Sequence, residues 1–391
     1  MRASYCEVAI VGAGPVGCAI AVGLHRAGVQ VQLLDRRRFT PDDADYDTRV
    51  YAVSPASARL LDALGVWPSI VAARASPYTH MQVWEHDPTQ ALHFDAADVR
   101  LPVLGHIVEH RVLQQALLAR VPAEVLRVPA AIRACRIDED AAVLTLDDGS
   151  RLQARLVVAA DGPQSPLRAM LGVDVVGADY AQTALVCHVR TQQPHRETAY
   201  QRFLDTGPLA LLPLADGGSS LVWSTTEADA LLAMDDRAFC QQLAVATQHA
   251  LGEVLECTPR RPFALRFQHA ERYAGPRFAL AGDAAHVVHP LAGQGLNLGF
   301  GDAASLIETL SRAHRARRDP GSPRVLGPYR RARAAAAREM LLVTDGLYRA
   351  YRFQRPGWRW LRQRGLTLVN ELTPLRRALV QRACGLSSSD A

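Results

Sequence analysis

Lysine is absent from this 391-residue chain: all 44 basic residues are arginine. So uniform a lack is a compositional bias, and it rules out reading function into any one Arg for not being Lys. Cysteine is sparse, with seven residues and neither a CxxC pair nor a zinc-ligand spacing. That pattern argues against a disulfide framework or a zinc module and fits scattered thiols in a reducing compartment such as the cytoplasm. No apolar run reaches the roughly 18 residues a membrane-spanning helix needs. The stretch VAIVGAGPVGCAIAVGL has the look of a signal peptide, but a single Arg is a poor n-region and its glycines have a better explanation. Repeats are missing, and ARAAAAR is the one short biased run. No nucleic-acid module is visible, so nucleic acid is not an expected partner. Ser165, in DGPQSPLR, lacks the G-x-S-x-G elbow of a hydrolase nucleophile.

What is present is apolar and unevenly charged. Hydrophobic residues make up 49% of the chain, enough for a sizeable core and, at this length, two domains. The net charge of +5 hides a division: residues 311–391 carry 18 Arg against five acids, and the rest carries 26 Arg against 34 acids. This basic end also holds Tyr348, Tyr351, Trp358 and Trp360. It fits either an anionic membrane surface or acidic partner, or a solvated Arg-rich helical face.

The first forty residues are the most informative. CEVAIVGAGPVGCAIAVGLHRAGVQVQLLDRRR reads as strand, tight loop, helix, strand. EVAIVG suits a buried parallel strand. Gly12, Gly14 and Gly17 form GxGxxG: the first permits a sharp turn, the second lets a pyrophosphate approach the backbone, and the third lets helix and strand pack closely. A helix from Pro15 to about Ala27 aims its N-terminal N–H groups at phosphate, and Gly28 ends it. Asp35 closes the second strand 18 residues beyond Gly17, where a carboxylate holds a ribose hydroxyl. An acid there favours FAD or NAD over NADP. No second GxGxxG follows a strand, so a dedicated nicotinamide domain is not expected.

Further on, SPASARLLDALGVW is punctuated as a helix, with Ser54 as N-cap, Pro55 first and Gly65 past the last turn. EHRVLQQALLARV is a second helix, opening at Arg111. RACRIDEDAAVLTLDDGSRLQARLVVAADG reads as an antiparallel excursion that returns to a buried parallel strand ending at Asp161-Gly162. Residues 180–270 alternate as strands around one helix, DDRAFCQQLAVATQHALG, which predicts an inserted antiparallel sheet. From 303 onward the pattern is helical.

Three motifs, GAGPVG with Asp35, VVAADGPQSPLR and FALAGDAAHVVHPLAGQGLNLGFGDA, together resemble the class A flavin monooxygenases. HPLAGQGLNLGFGD is similar to the signature of the ubiquinone-biosynthesis hydroxylases, often written HPIAGQGLNLGLRD. The likeness runs over nearly the whole chain. Within the group, GPLALLPLADGGSSLVWS and NELTPLRRALVQRACG look most like the 2-polyprenyl-6-methoxyphenol hydroxylases (UbiH). Phe300-Gly301 departs from the common Leu-Arg and removes a charge.

The resemblance implies an α/β fold: a Rossmann-type FAD-binding domain with an inserted antiparallel β-sheet substrate domain and a helical C-terminal region. The division is 1–75, 106–178 and 273–310 for FAD, 76–105 and 179–272 for substrate, and 311–391 for the basic helices. It implies one tightly bound FAD, NAD(P)H as a transient co-substrate, and hydroxylation of a polyprenylated phenol by O2 through a flavin C4a-hydroperoxide. A peripheral contact with a membrane or a biosynthetic complex would give the basic end a purpose. Gly12, Gly14, Pro15 and Gly17 are expected to cradle the pyrophosphate, and Asp35, with Arg36 beside it, the adenosine ribose. Arg49 and Arg111 match arginines near flavin and pyrophosphate, and Asp161-Gly162 lies between FAD and the nicotinamide route. Gly282-Asp283 would hold the ribityl chain. Pro290 and the run Gly293, Gln294, Gly295, Leu296 and Asn297 would pass backbone under the flavin, ahead of a helix aimed at its N1 and O2.

Other readings compete. His286 and His289 lack a third ligand at metal spacing, so no metal is expected. His286 reads as structural, and Asp302 as a cap or brace for its helix. His289 either assists deprotonation of the phenol or holds its loop. Trp84, Phe203 and Trp223 either line a substrate pocket or pack in the core. A class A hydroxylase of a small soluble aromatic, and a non-catalytic flavoprotein scaffold, are the alternative functions.

Overall fold

The structure is a computed structural model that describes residues 4–39, 46–289, 293–352 and 372–385. Pro290, Trp358 and Trp360 lie outside the described residues.

The strand Ser4–Val11 forms the middle of an eight-stranded mixed sheet. It pairs in parallel with Val31–Leu34 on one side and Arg151–Ala159 on the other, and the latter pairs in parallel with Phe278–Leu280. Its alternation explains its apolar composition. Val8 and Ile10 enter one core cluster, Ala9 and Val11 the cluster on the opposite face, as a strand covered on both sides requires. The antiparallel excursion is formed by Ile132–Ile137 and Ala142–Leu146 against the start of Arg151–Ala159.

The helix Pro15–Arg26 is buried along its length because it lies between this sheet and the helix Gln294–Arg315. A Cβ on Gly23 would stand 2.5 Å from Ile307 Cδ1, so the close helix crossing needs glycine there. The second predicted helix spans Pro55–Ala63, with Ser54 capping the Ser57 N–H, and the third spans His110–Leu118.

A second, nine-stranded sheet is formed chiefly by Val175–Thr191, Thr198–Leu204, Gly207–Pro213, Ser219–Thr225 and Arg261–Ala270. His80–Trp84 and Leu92–Asp95 extend it, and His80–Trp84 runs parallel to Thr198–Leu204, so the sheet is not purely antiparallel. One face packs Leu185, Leu211, Leu221 and Trp223 on the helix Asp236–Ala246. Period-two alternation turns Ala210, Leu212, Val222 and Ser224 to the other face. Sequence reading missed the short helix Ala228–Ala233 and a third sheet of Val50–Val53, Ser76–Tyr78 and Gly105–Glu109. Among the described residues no helix is long and apolar enough to cross a membrane.

Candidate active site

The three sequence motifs converge. Gly12 has φ +105°, and a Cβ there would stand 2.3 Å from Ala160 O and 2.6 Å from Asp161 Cα. A Cβ on Gly17 would lie 1.9 Å from Gly12 O. Val16 is sandwiched between Gly282 and Gly299, whose added Cβ atoms would come within 3.2 and 2.8 Å of its Cγ2. Gly14 differs: nothing lies within 4 Å of its Cβ position. Packing inside the chain does not explain that glycine, while a group approaching from outside does. Pro15 opens the helix, and no side chain caps its N-terminus, which leaves the first-turn N–H groups to an anion.

Asp35 reaches this loop as its spacing predicted. Its Oδ2 accepts the Ala13 N–H at 2.8 Å, and it is 6% exposed. Burial would raise its carboxyl, yet the Arg37 guanidinium and the N–H groups of Arg37 and Ala13 hold it below the usual range. Arg37 lies 3.1 Å away through both Nε and a terminal nitrogen. Arg36 and Arg37 are both exposed, and it is Arg37, not Arg36, that pairs with Asp35; three consecutive arginines give no local signal for which one does so.

Asp161 is turned into the protein: Ser165 Oγ donates to it, as does the Leu167 N–H at 3.1 Å. Burial pushes its carboxyl above the usual range against those bonds. Gly162 follows at φ +90° with open space beside it. Asp283 is half-buried in the turn Gly282–Ala284, and its carboxylate takes no hydrogen bond from any described residue. Burial raises it, with Arg49 and then His286 opposing. Arg49 lies over the Tyr51 ring, 5.2 Å from its centre. Arg111 donates its backbone N–H to Asp47 at 3.2 Å.

The glycine-rich signature requires a correction. Gly293, left-handed at φ 63°, is the N-cap, and the helix runs Gln294–Arg315. Gln294, Gly295, Leu296 and Asn297 therefore form its first turn rather than a loop ahead of it. The Asn297 side chain is committed to the protein, which leaves its backbone for the flavin edge. Its Oδ1 accepts the Ser54 N–H (3.0 Å) and Ser57 Oγ (2.8 Å), and its Nδ2 donates to Ala52 O (2.9 Å). It clamps the helix start to the strand Val50–Val53 and the helix Pro55–Ala63.

Asp302 braces that helix from its third turn and caps nothing. Fully buried, its carboxylate accepts the Gly282 N–H (2.8 Å), His286 Nε2 (2.6 Å) and Arg333 Nε (2.6 Å). Burial would raise it, but His286 and Arg333 hold it below the usual range. A Cβ on Gly301 would meet the Arg333 guanidinium at 2.8 Å. The missing side chain at 301 thus makes room for Arg333, which returns a positive charge to that place and also bonds Leu298 O at 2.9 Å.

His289 is 1% exposed, edge-on to Tyr180, with Nε2 3.4 Å from Gln182 Oε1. Burial depresses its pKa to about 4. His289 does not line the cavity described next. The contacts of His289 with Gln182 and Tyr180 support the loop-holding reading. Among the described residues, no three His, Cys, Asp or Glu side chains group to share a metal ion. Trp84, bonded to Gln248, and Phe203 and Trp223 are core residues.

An apolar cavity of about 180 Å3 lies beside the signature helix. Gly293 and Gln294 line one end. The walls come from Val50, Ala52 and Tyr78, from the hairpin residues Pro208, Ala210, Leu212, Val222 and Ser224, and from Leu379, Val380 and Cys384 of the helix Thr373–Ala383. No Asp, Glu, Arg or His is among its described lining residues. Sequence reasoning named Gly293 and Gln294 but missed the other lining residues, since segments far apart in the chain supply them.

A family model described as an FAD binding domain matches residues 5–344. The chain is 38% identical over 388 residues to ubiquinone hydroxylase UbiL of Rhodospirillum rubrum, covering 97% of this chain and 89% of that protein. It is 37% identical to the 3-demethoxyubiquinol 3-hydroxylase of Escherichia coli, covering 97% and 98%. It is 33% identical to human mitochondrial ubiquinone biosynthesis monooxygenase COQ6, covering 96% and 91%. Its fold is similar to p-nitrophenol 4-monooxygenase PnpA of Pseudomonas putida (TM-score 0.77, 20% identity, covering 97% and 98%) and to Klebsiella pneumoniae HpxO complexed with FAD (TM-score 0.78, 18% identity, covering 97% and 98%).

Fold and site define an FAD-dependent flavoprotein monooxygenase of class A. The chain belongs to the ubiquinone-biosynthesis hydroxylase family of UbiH, UbiF and COQ6 proteins.

Proposed function

We propose that this protein hydroxylates the ring of a polyprenylated phenol in ubiquinone biosynthesis, with 2-polyprenyl-6-methoxyphenol as substrate. The observation that carries the proposal is the uncharged apolar cavity that begins at Gly293 and Gln294. A substrate with a carboxylate, such as a benzoate, would enter this cavity without a countercharge, and burying it so is costly. A phenol with an isoprenoid tail matches the lining. The two segments most like the 2-polyprenyl-6-methoxyphenol hydroxylases support the finer reading, for both are cavity walls: the hairpin through Gly207–Pro213 and Ser219–Thr225, and the helix Thr373–Ala383.

FAD supplies the redox chemistry when bound, taking electrons from NAD(P)H and activating O2. The residues present fit it. Gly12, Gly14, Pro15 and Gly17 would receive its pyrophosphate and Asp35 its ribose, with Arg36, Arg49 and Arg111 as countercharges. Asp283, whose carboxylate no described residue engages, is available to the ribityl hydroxyls. The first-turn N–H groups of Gln294, Gly295 and Leu296 present partial positive charge to the flavin edge, while Asp161 and Gly162 shape the turn beside the nicotinamide route. The apolar walls orient the phenol ring and exclude water, which protects the activated oxygen from wasteful release as peroxide. Residues 1–75, 106–178 and 273–310 form the FAD half in this reading, and 76–105 and 179–272 the substrate half. We place the reaction in the cytoplasm, with the basic residues 311–391 toward the membrane surface that holds the lipid substrate.

Deleting the gene and profiling quinone intermediates tests this. The expected result is an accumulating polyprenyl methoxyphenol, cleared by the intact gene but not by an Asp283→Ala copy. Normal quinone in the deletion strain contradicts the proposal. A folded, flavin-free Asp283→Ala protein that restores quinone would instead establish a scaffold role.

A further inference from the structure

We propose that the helix Thr373–Ala383 is the specificity wall of the cavity, and that the substrate's isoprenoid tail leaves the protein across Leu379. This rests on the reading above that the substrate carries such a tail. Val380 and Cys384 are buried at 4% and 2% exposure, but Leu379, one residue from Val380, is 42% exposed while lining the same cavity. A side chain that belongs both to the cavity and to the surface marks the point where one opens to the other. Met81, Phe94 and Leu104 line the same cavity and pack in one apolar cluster with Val380 and Cys384, so the wall beside Leu379 is apolar. The cavity's volume of about 180 Å3 is small against the roughly 300–1,000 Å3 of pockets that enclose a drug-sized ligand. It holds a substituted ring and the first part of a tail, and a longer tail has to continue outward.

The wall is also fixed relative to the flavin end of the cavity. The Cys384 carbonyl accepts the Ala56 N–H at 3.3 Å, and its thiol donates to Leu104 O at 3.6 Å. Gly385, at φ +70°, approaches so near that a Cβ would lie 2.9 Å from Ala56 Cβ. Ala56 follows Ser54, whose N–H is held by Asn297 of the signature helix. One chain of contacts thus sets the distance between the reacting end and the exit. Burial pushes the Cys384 thiol up to about 11, so it serves as an inert apolar surface.

The test uses the flavin-loaded full-length protein with 2-methoxyphenol and its prenyl, geranyl and farnesyl homologues. Wild type should gain kcat/KM as the tail lengthens. Leu379→Gln, at an exposed position that tolerates a polar residue, should lower kcat/KM for the farnesyl compound about tenfold more than for 2-methoxyphenol. Val380→Phe narrows the wall and should lower kcat/KM for the farnesyl compound more than for 2-methoxyphenol. An equal loss for all four phenols in both variants overturns the proposal. A second readout needs no turnover. The thiol of Leu379→Cys, located by peptide mass after maleimide labelling, should be protected by the farnesyl compound and not by 2-methoxyphenol; labelling unchanged by either overturns the exit assignment. If wild type hydroxylates none of the phenols, the proposed function fails, whereas hydroxylation with no tail-dependent change in the variants fails this inference alone.

Discussion

The cofactor cradle and the apolar cavity proposed to take the substrate adjoin at Gly293, yet they are built by opposite means. The cradle is backbone: Gly12, Gly17 and Gly282 stand where a Cβ meets main chain or a packed side chain, and two helices turn uncapped N–H groups outward. Its carboxylates Asp35, Asp161 and Asp302 are each oriented by main-chain N–H donors. The cavity is side chain, uncharged, and assembled from segments as far apart as Val50 and Cys384. Backbone approach tolerates almost no substitution, whereas an apolar wall is specified only by volume and tolerates hydrophobic exchange. Substitution in the cradle should therefore cost flavin, and substitution in the cavity should change which substrate is accepted.

Substitutions on the two sides should break differently. Gly17→Ala has the largest expected effect, because its Cβ would lie 1.9 Å from Gly12 O. Flavin content per protein, read by absorbance, should fall below about a tenth of wild type, and stability by several kcal/mol. A fully flavinated variant would mean that the turn relaxes more freely than the geometry allows. Arg333→Met comes next. It leaves Asp302 buried with one countercharge fewer, at an expected cost of about 3–5 kcal/mol in denaturant unfolding. A loss under about 1 kcal/mol would show that His286 alone suffices.

His289 gives a smaller, pH-dependent effect. Its pKa is about 4 in the folded chain and 6.5 when free. Between those values the unfolded chain holds a proton that the native chain does not, so stability is intact above pH 6.5 and falls as pH drops toward 4. His289→Gln should remove up to about 3 kcal/mol of that fall, measured as the difference between variant and wild-type unfolding at pH 7 and pH 4. Parallel curves would contradict the buried neutral state. Smallest in stability is Ala210→Phe on the cavity wall. It should cost about 1–3 kcal/mol by overpacking and raise KM for a prenylated phenol about tenfold, with flavin content unchanged. Loss of flavin in that variant would erase the distinction between the two regions.

The same contrast explains what the sequence made legible. Gly12, Gly17 and Asp35 are readable because their reasons are local: a turn, a close approach, a spacing from strand to acid. Ser54 and Gly65 punctuate the helix Pro55–Ala63 for the same kind of reason. Arg333 and most of the cavity wall were not legible, since each depends on which distant segment arrives beside it, and Arg37 was not because a run of three arginines gives no signal for which one folds back on Asp35. The side chains of Asn297 and His289, both in the signature, bond protein groups that the sequence did not reveal: Ser54, Ser57 and Ala52 for one, Gln182 and Tyr180 for the other. The start of the signature helix was misplaced because glycines at 293 and 295 read as loop, while only Gly293 has left-handed backbone.

The central claim is that the cradle's flavin delivers oxygen to a phenol seated in the uncharged cavity. Its most direct test is a single turnover of the purified, flavin-loaded protein with NAD(P)H, a prenylated methoxyphenol and 18O2, read by mass spectrometry of the product. The account predicts one labelled oxygen atom on the ring for each nicotinamide oxidised. Unlabelled phenol, with all the label recovered as hydrogen peroxide, would contradict it.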